Sequence, residues 1–155
     1  MAIEIERKFL INKEKWNALP KPESKFIRQG YITTDAEKTI RVRITGNEAY
    51  LTIKGKTTGF SRTEIECTIP ATTATEMLQQ FAITEIIKER YRLPYQQHIW
   101  EVDVFHGKNE GLIVAEIELE NESVIFEKPD WVAEEVTDDS RYYNSNLSLN
   151  PFLNW

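Results

Sequence analysis

The amino-acid sequence predicts an α+β chain: an eight-stranded antiparallel β-barrel, closed around a charged lumen and flanked by a few helices, with residues 1–155 as a single domain. Three observations carry that prediction. Eight runs of alternating polar and apolar residues are separated by short connections bearing Gly, Pro or Asn. On nearly all of these runs the polar side is ionised, with little of the Ser, Thr, Gln and Asn that a wet sheet face normally carries. The signs are sorted by strand, and eight antiparallel strands can close on themselves and leave no exposed edge.

The first strand, at about 2–11, opens on Ile3-Glu4-Ile5-Glu6-Arg7-Lys8-Phe9, so Glu4, Glu6 and Lys8 share one side. A short helix follows: Asn12 is a capping residue, and Pro20 stops the run that holds Trp16 and Leu19. Strands at about 25–33 and 38–45 come next, the latter placing Arg41 and Arg43 opposite Ile40, Val42 and Ile44. Thr45-Gly46-Asn47-Glu48 turns the chain into a strand at about 49–55, with Thr52 and Lys54 on one side. After the connection from Gly55 to Ser61, a strand at about 61–69 aligns Arg62, Glu64 and Glu66. Thr73 to Glu76 has the form of a capping box before a helix carrying Met77, Leu78 and Phe81.

The sixth strand, at about 83–93, aligns Lys88, Arg90 and Arg92, and Leu93-Pro94-Tyr95-Gln96-Gln97 reads as its hairpin loop. The seventh, at about 98–106, aligns Glu101 and Asp103. Past Gly107 to Gly111, the eighth, at about 111–121, aligns Glu116, Glu118 and Glu120. From Trp131 the tail predicts one or two short helices, one capped near Asp138 or Asp139. Glu134 and Glu135 read there as a solvated helix start, which the helix dipole favours, with closure of one mouth of the barrel as the alternative. Arg7 and Glu89 break the pattern by lying on the apolar side.

Composition excludes several classes of function. Apolar residues at 41%, with four Trp, six Tyr and seven Phe, supply a core and argue against disorder. No apolar run approaches the roughly 20 residues of a membrane span. The acidic start of the chain predicts no secretion signal, and Cys67 alone allows no internal disulfide, so a cytoplasmic protein is expected. His98 and His106 lack a metal-ligand spacing and read as surface residues. A net charge of −6 predicts no nucleic-acid partner and no membrane partner.

The sorted charges are the informative part. The triplet Glu-Ile-Glu occurs at Glu4, at Glu64 and at Glu116, each time putting two carboxylates on one face. Like charges two apart on a strand repel, by roughly 1 kcal/mol at 4 Å in water and more when partly buried. Such repulsion is tolerated when a ligand of opposite charge lies between. Turned inward, the ionised sides would line the lumen with about seven cations and a similar number of carboxylates. Grouped Arg and Lys suit phosphate oxygens, and grouped carboxylates suit a hard divalent cation. A metal-loaded polyphosphate uses both walls. The outward apolar sides would then be covered by the helices and the aromatic tail, unless that tail joins two subunits as a homodimer.

Glu4-Ile5-Glu6-Arg7-Lys8 resembles the ExExK signature of the CYTH superfamily, the triphosphate tunnel metalloenzymes. Later blocks agree in order: Arg41-Val42-Arg43, Leu51 to Lys54, Arg62 to Glu66, Lys88-Glu89-Arg90, Glu101 to Phe105 with Gly107, Glu116 to Leu119, and Glu135-Val136-Thr137. ExExK alone is weak; the ordered set covers nearly the whole chain. The resemblance implies an eight-stranded tunnel that acts on a triphosphate with Mg²⁺ or Mn²⁺. Inorganic tripolyphosphate is the expected substrate. Thiamine triphosphatase, adenylyl cyclase of this class and a non-catalytic polyphosphate-binding module are the alternatives.

On that basis Glu4, Glu6, Asp103, Glu116 and Glu118 are the expected metal-binding residues. Lys8, Arg41, Arg43, Lys54, Arg62 and Arg90 are expected to grip the phosphates, Arg62 most weakly. Glu64 and Glu66 would orient neighbouring arginines or hold a second metal. Lys88, lying among cations that lower its pKa, is either the base that activates water or one more phosphate ligand. Tyr31 would assist it, although Tyr31 and Arg28 have opposite parity and cannot both face inward without a bulge at Gly30.

Overall fold

The computed structural model describes residues 2–155. Its strands are β1 (Ala2–Ile11), β2 (Lys25–Thr33), β3 (Lys38–Thr45), β4 (Glu48–Gly55), β5 (Ser61–Ile69), β6 (Thr84–Tyr95), β7 (His98–Phe105), β8 (Ile113–Glu118) and β9 (Val132–Glu135). Helices α1 (Lys13–Ala18), α2 (Ala71–Phe81) and α3 (Asn144–Leu149) are joined by single 3₁₀ turns at Gly107–Asn109, Ser140–Tyr142 and Phe152–Asn154. All strand pairings are antiparallel, in the order β5-β4-β3-β2-β6-β7-β8-β1. Strand β5 also pairs with β1, which closes a barrel of eight strands.

Strand β1 makes the closure possible because it serves three partners. Along one edge Glu6 to Leu10 pair with β8. On the other, Ala2 to Ile5 pair with β5, and Phe9 and Ile11 pair with β9. Strand β9 is a correction to the sequence reading, which placed a helix start at Glu134 and Glu135. Val132-Ala133-Glu134-Glu135 has little β-propensity of its own. It is extended because the edge of β1 beyond β5 is free to accept it. The same pairing explains Arg7, which points outward and meets Glu135 through two hydrogen bonds, one of 2.8 Å from Nε.

Other boundaries differ for local reasons. Strand β6 runs on through Leu93-Pro94-Tyr95, and only Gln96 and Gln97 turn, both with positive φ, 47° and 71°. Two residues of that geometry form a two-residue hairpin loop whose twist matches the flanking strands. Helix α2 starts at Ala71 behind Pro70, before the expected capping box, and its N-cap makes no side-chain hydrogen bond. Thr75 donates instead to the Ala71 carbonyl. The other caps are where the sequence puts them: Asn12 accepts from the Lys15 amide, and Asp139 from the Arg141 amide.

Three apolar clusters hold the barrel. Outside one wall, Phe9, Trp100, Val102, Ala115 and Ile117 pack against Trp16 of α1 and Trp131. Outside the opposite wall, Val42 and Ala49 pack against Ala74 and Leu78 of α2. The third cluster lies on the inward side of the strands. Tyr31, Ile86, Phe105 and Val114 share parity with lumen residues two or more positions away, and Tyr142 and Leu147 of the tail pack onto them. The tail therefore fills one end of the barrel. No helix among the described residues is long and apolar enough to cross a membrane.

Candidate active site

The ionised sides of the strands face inward. They surround a cavity of about 230 Å³ whose wall carries seven cationic and seven anionic side chains. Exposure rises along β6 and β7 away from the tail. On β6 it climbs from 1% at Lys88 through 14% at Arg90 to 58% at Arg92, and on β7 from 1% at Asp103 to 31% at Glu101. The cavity is thus closed at the end held by the tail and open at the other.

Cations and acids pair across the wall. Lys54 Nζ donates to both Glu4 oxygens at 2.9 Å, and Arg62 reaches Glu4 at 3.3 Å. Burial works against the Glu4 carboxylate, but Lys54 and a hydrogen bond with Glu6 outweigh it and hold its pKa below the ordinary value. Lys8 lies 3.3 Å from Glu116 and 3.7 Å from Glu6. Burial disfavours its charge, yet these acids raise its pKa on balance. Glu64 approaches Lys54 at 3.4 Å, and Glu66 accepts from Thr52 and approaches Arg41 at 3.7 Å. Both therefore sit as orienting partners of cations.

Two departures from this pairing stand out. Arg43 is partly buried and has no carboxylate within ion-pair distance among the described residues; its Nε donates to Gln29. Burial, with Arg41 and Arg90 nearby, brings its pKa below the usual arginine value. Beside it, Arg41 Nε is buried with no hydrogen-bond partner. On the acidic side, Glu118 has a raised pKa, from burial and then from the charges of Glu4, Glu6, Glu64 and Glu101. Under-compensated cations on one side and crowded acids on the other suit a ligand that carries both signs of charge.

Asp103 departs from its expected role. Arg90 donates to it through Nε and Nη2 at 2.7 and 2.8 Å, and Lys88 donates to Oδ2 at 2.7 Å. Both its oxygens are occupied, it is almost fully buried, and it does not border the cavity. Asp103 anchors two cations and is not placed to hold a metal. Glu4, Glu6, Glu116 and Glu118 all border the cavity, as do Lys8, Arg41, Arg43, Lys54, Arg62, Lys88, Arg90 and Tyr31. Among the described residues no three carboxylates, imidazoles or thiols converge closely enough to hold a metal ion by themselves.

Lys88 is 1% exposed, and its pKa falls to about 7. Burial is the main cause; Asp103 opposes it, while Arg90 and Arg43 add to it. Tyr31 faces inward and Arg28 outward, so Gly30 forms no bulge; Arg28 pairs with Glu85 on the surface. Gly30 itself lies beneath α2, where a Cβ would meet Leu78 at 2.6 Å. Burial also raises the Tyr31 pKa, so its hydroxyl keeps its proton.

The sequence assigns no site role to Gln29, Thr39, Tyr143 and Asn144, and places Glu101 on the lumen side without a role. Gln29 touches the lumen residues, and the others line the cavity. Glu101 carried the same inward parity as Asp103 and was legible to that extent. Tyr143 and Asn144 come from an aperiodic tail that gives no such signal.

A family model described as the CYTH domain matches residues 2–149. A protein of Acetivibrio thermocellus named inorganic triphosphatase is 46% identical over 100% of this chain and 99% of its own. One of the same name from Nitrosomonas europaea is 36% identical over 94% of this chain and 97% of its own. A crystal structure described as that of an inorganic triphosphatase superposes with a TM-score of 0.66 at 33% identity, covering 96% of each chain. A barrel with inward-sorted charges, a family model spanning almost its whole length and full-length relatives agree: the chain belongs to the CYTH domain family.

Proposed function

We propose that the protein hydrolyses inorganic tripolyphosphate in this cavity, with Mg²⁺ or Mn²⁺, releasing phosphate. The observation that carries the reading is an under-compensated guanidinium pair on the cavity wall: partly buried Arg43 has no acid within ion-pair distance among the described residues, and Arg41, with only Glu66 at 3.7 Å, has a buried Nε without a hydrogen-bond partner. A buried cation lacking an anion is costly, and phosphate oxygens match the planar donors of arginine. The full-length relatives named inorganic triphosphatase support the same substrate. So does cavity size: about 230 Å³ lies below the roughly 300–1,000 Å³ typical of sites for drug-sized ligands. Trp100, the ring a thiamine moiety would need, is fully buried in the outer core.

The donor set fits a hard divalent cation. Glu4, Glu6, Glu116 and Glu118 are oxygen donors at the cavity wall, and the crowding that raises Glu118 is relieved by positive charge. A preformed three-carboxylate cage is not needed, because Mg²⁺ commonly takes one or two carboxylates together with phosphate oxygens and water. When bound, the ion neutralises charge on the phosphates.

The chain's own residues do the rest. Lys8, Lys54 and Arg62 exchange their carboxylate partners for phosphate oxygens, while Arg41, Arg43 and Arg90 donate from β3 and β6. Lys88, neutral in part near pH 7, accepts a proton from the attacking water. Tyr31 keeps its proton and donates to a phosphoryl oxygen. Positioning and charge neutralisation supply most of the rate in such transfers.

Purified protein incubated with tripolyphosphate, ATP and thiamine triphosphate, with and without Mg²⁺ or Mn²⁺, tests this. Phosphate from tripolyphosphate should far exceed phosphate, pyrophosphate or cyclic AMP from the others, and only with metal. Glu4→Gln should abolish metal-dependent turnover, and Arg41→Ala should weaken binding and turnover together. Equal activity on ATP, or full activity in Glu4→Gln, overturns the reading.

A further inference from the structure

Beneath the cavity two neutral amides join side chains from three strands and the tail. Arg43 Nε donates to Gln29 Oε1 at 2.9 Å, which fixes the orientation of the Gln29 amide because an arginine nitrogen can only donate. Gln29 Nε2 then donates to Tyr31 Oη at 3.1 Å and to Asn144 Oδ1 at 3.2 Å. Asn144 Oδ1 also accepts from Lys88 Nζ at 2.8 Å. Gln29 is fully buried in a β-strand, whereas Asn144 opens α3, so the tail completes the network.

We propose that Gln29 and Asn144 are positioning residues, which aim the free valence of Lys88 Nζ and the hydroxyl proton of Tyr31 into the cavity. A neutral amine has two N–H groups and one lone pair. Asp103 Oδ2 and Asn144 Oδ1 occupy two directions about Nζ, which leaves the third for the cavity that Lys88 borders. Tyr31 Oη, receiving a hydrogen bond from Gln29, must use its own proton elsewhere, and Tyr31 lines the cavity. Without Asn144, only Asp103 would hold the amine, and Nζ could rotate about the Cδ–Cε and Cε–Nζ bonds. The strands provide Lys88; the tail provides its aim.

This inference rests on the tripolyphosphate reading, and a double-mutant cycle separates the two. Asn144→Leu and Asn144→Ala are expected to lower kcat on tripolyphosphate roughly 10- to 100-fold, with KM changed less than about twofold, since a misplacement near 1 Å can cost that much. In a Lys88→Ala background the same substitutions should have almost no further effect, because the group they position is gone. Two outcomes overturn the inference: a kcat loss as large with Lys88→Ala as without it, or an unchanged kcat in both Asn144 variants. The two variants differ in bulk, so a folding defect in one leaves the other to decide. Wild-type protein that releases no phosphate overturns the substrate reading itself and the inference with it.

Discussion

Lys88 is the side chain whose charge the fold controls most directly. Its pKa of about 7 places the neutral form within reach of ordinary pH. A base acts only when neutral, so its contribution is full above that value and is lost as pH falls through it. Plotted over roughly pH 5 to 9, kcat/KM for tripolyphosphate should rise about tenfold per unit below 7 and then level; a flat profile would leave Lys88 as a phosphate ligand only. Asp103 carries the opposite shift: burial opposes its charge, but Arg90 and Lys88 hold its pKa well below the usual range. The stability it adds is present above the unfolded value of about 4 and lost as pH falls below it. Asp103→Asn should lower the urea-unfolding free energy at neutral pH by about 3–5 kcal/mol, since it strands buried cations. The sequence placed Asp103 on the correct face but could not place it below the cavity, against Lys88 and Arg90. Alternation gives the side of a strand, not the depth along the barrel, and depth decides which carboxylate meets ligand and which meets lysine.

At the scale of elements, the same limit separates what was legible from what was not. Strands β1 to β8 announce themselves by period-two alternation, because most have one face on an apolar cluster and one on the lumen, although outward Ile65 of β5 is 58% exposed. Strand β9 has no such pattern; the vacant edge of β1 makes it a strand. Helix α2 packs so closely over β2 that Gly30 has no room for a side chain: a Cβ would lie 2.6 Å from Leu78 and 3.0 Å from Ala82. Gly30→Val should therefore destabilise by about 1–3 kcal/mol through overpacking, read as a lowered denaturation midpoint with an unchanged m-value. An undiminished midpoint would mean that α2 slides freely on the barrel. The tail covers the outer wall at Trp131, as read, and beyond it enters the barrel end, where Tyr142 and Leu147 pack on inward-facing Ile86, Phe105 and Val114.

For the whole molecule, the core and the site are separable. Three apolar clusters hold the barrel, and none depends on the cavity's carboxylates being bridged by a metal. EDTA should consequently abolish turnover while leaving the far-UV circular dichroism and the fold intact. Tripolyphosphate with Mg²⁺ should do the converse and raise the Tm, because the ligand binds a native wall that the unfolded chain lacks; at 100 times Kd the gain is about 2.7 kcal/mol. Calorimetry showing no Tm shift at high ligand concentration would mean that the native protein does not bind tripolyphosphate preferentially over the unfolded chain.

The sequence by itself determined the barrel, the inward sorting of its charges and most of the cavity wall, because strand periodicity is a local property that each residue carries with its neighbours. Only the tertiary structure decided that one end is sealed, that Asp103 is an anchor, and that Gln29 and Asn144 meet behind Lys88. Those outcomes depend on how far along the barrel a side chain lies and on what an aperiodic tail folds against. Neither distance exists until the chain has closed upon itself.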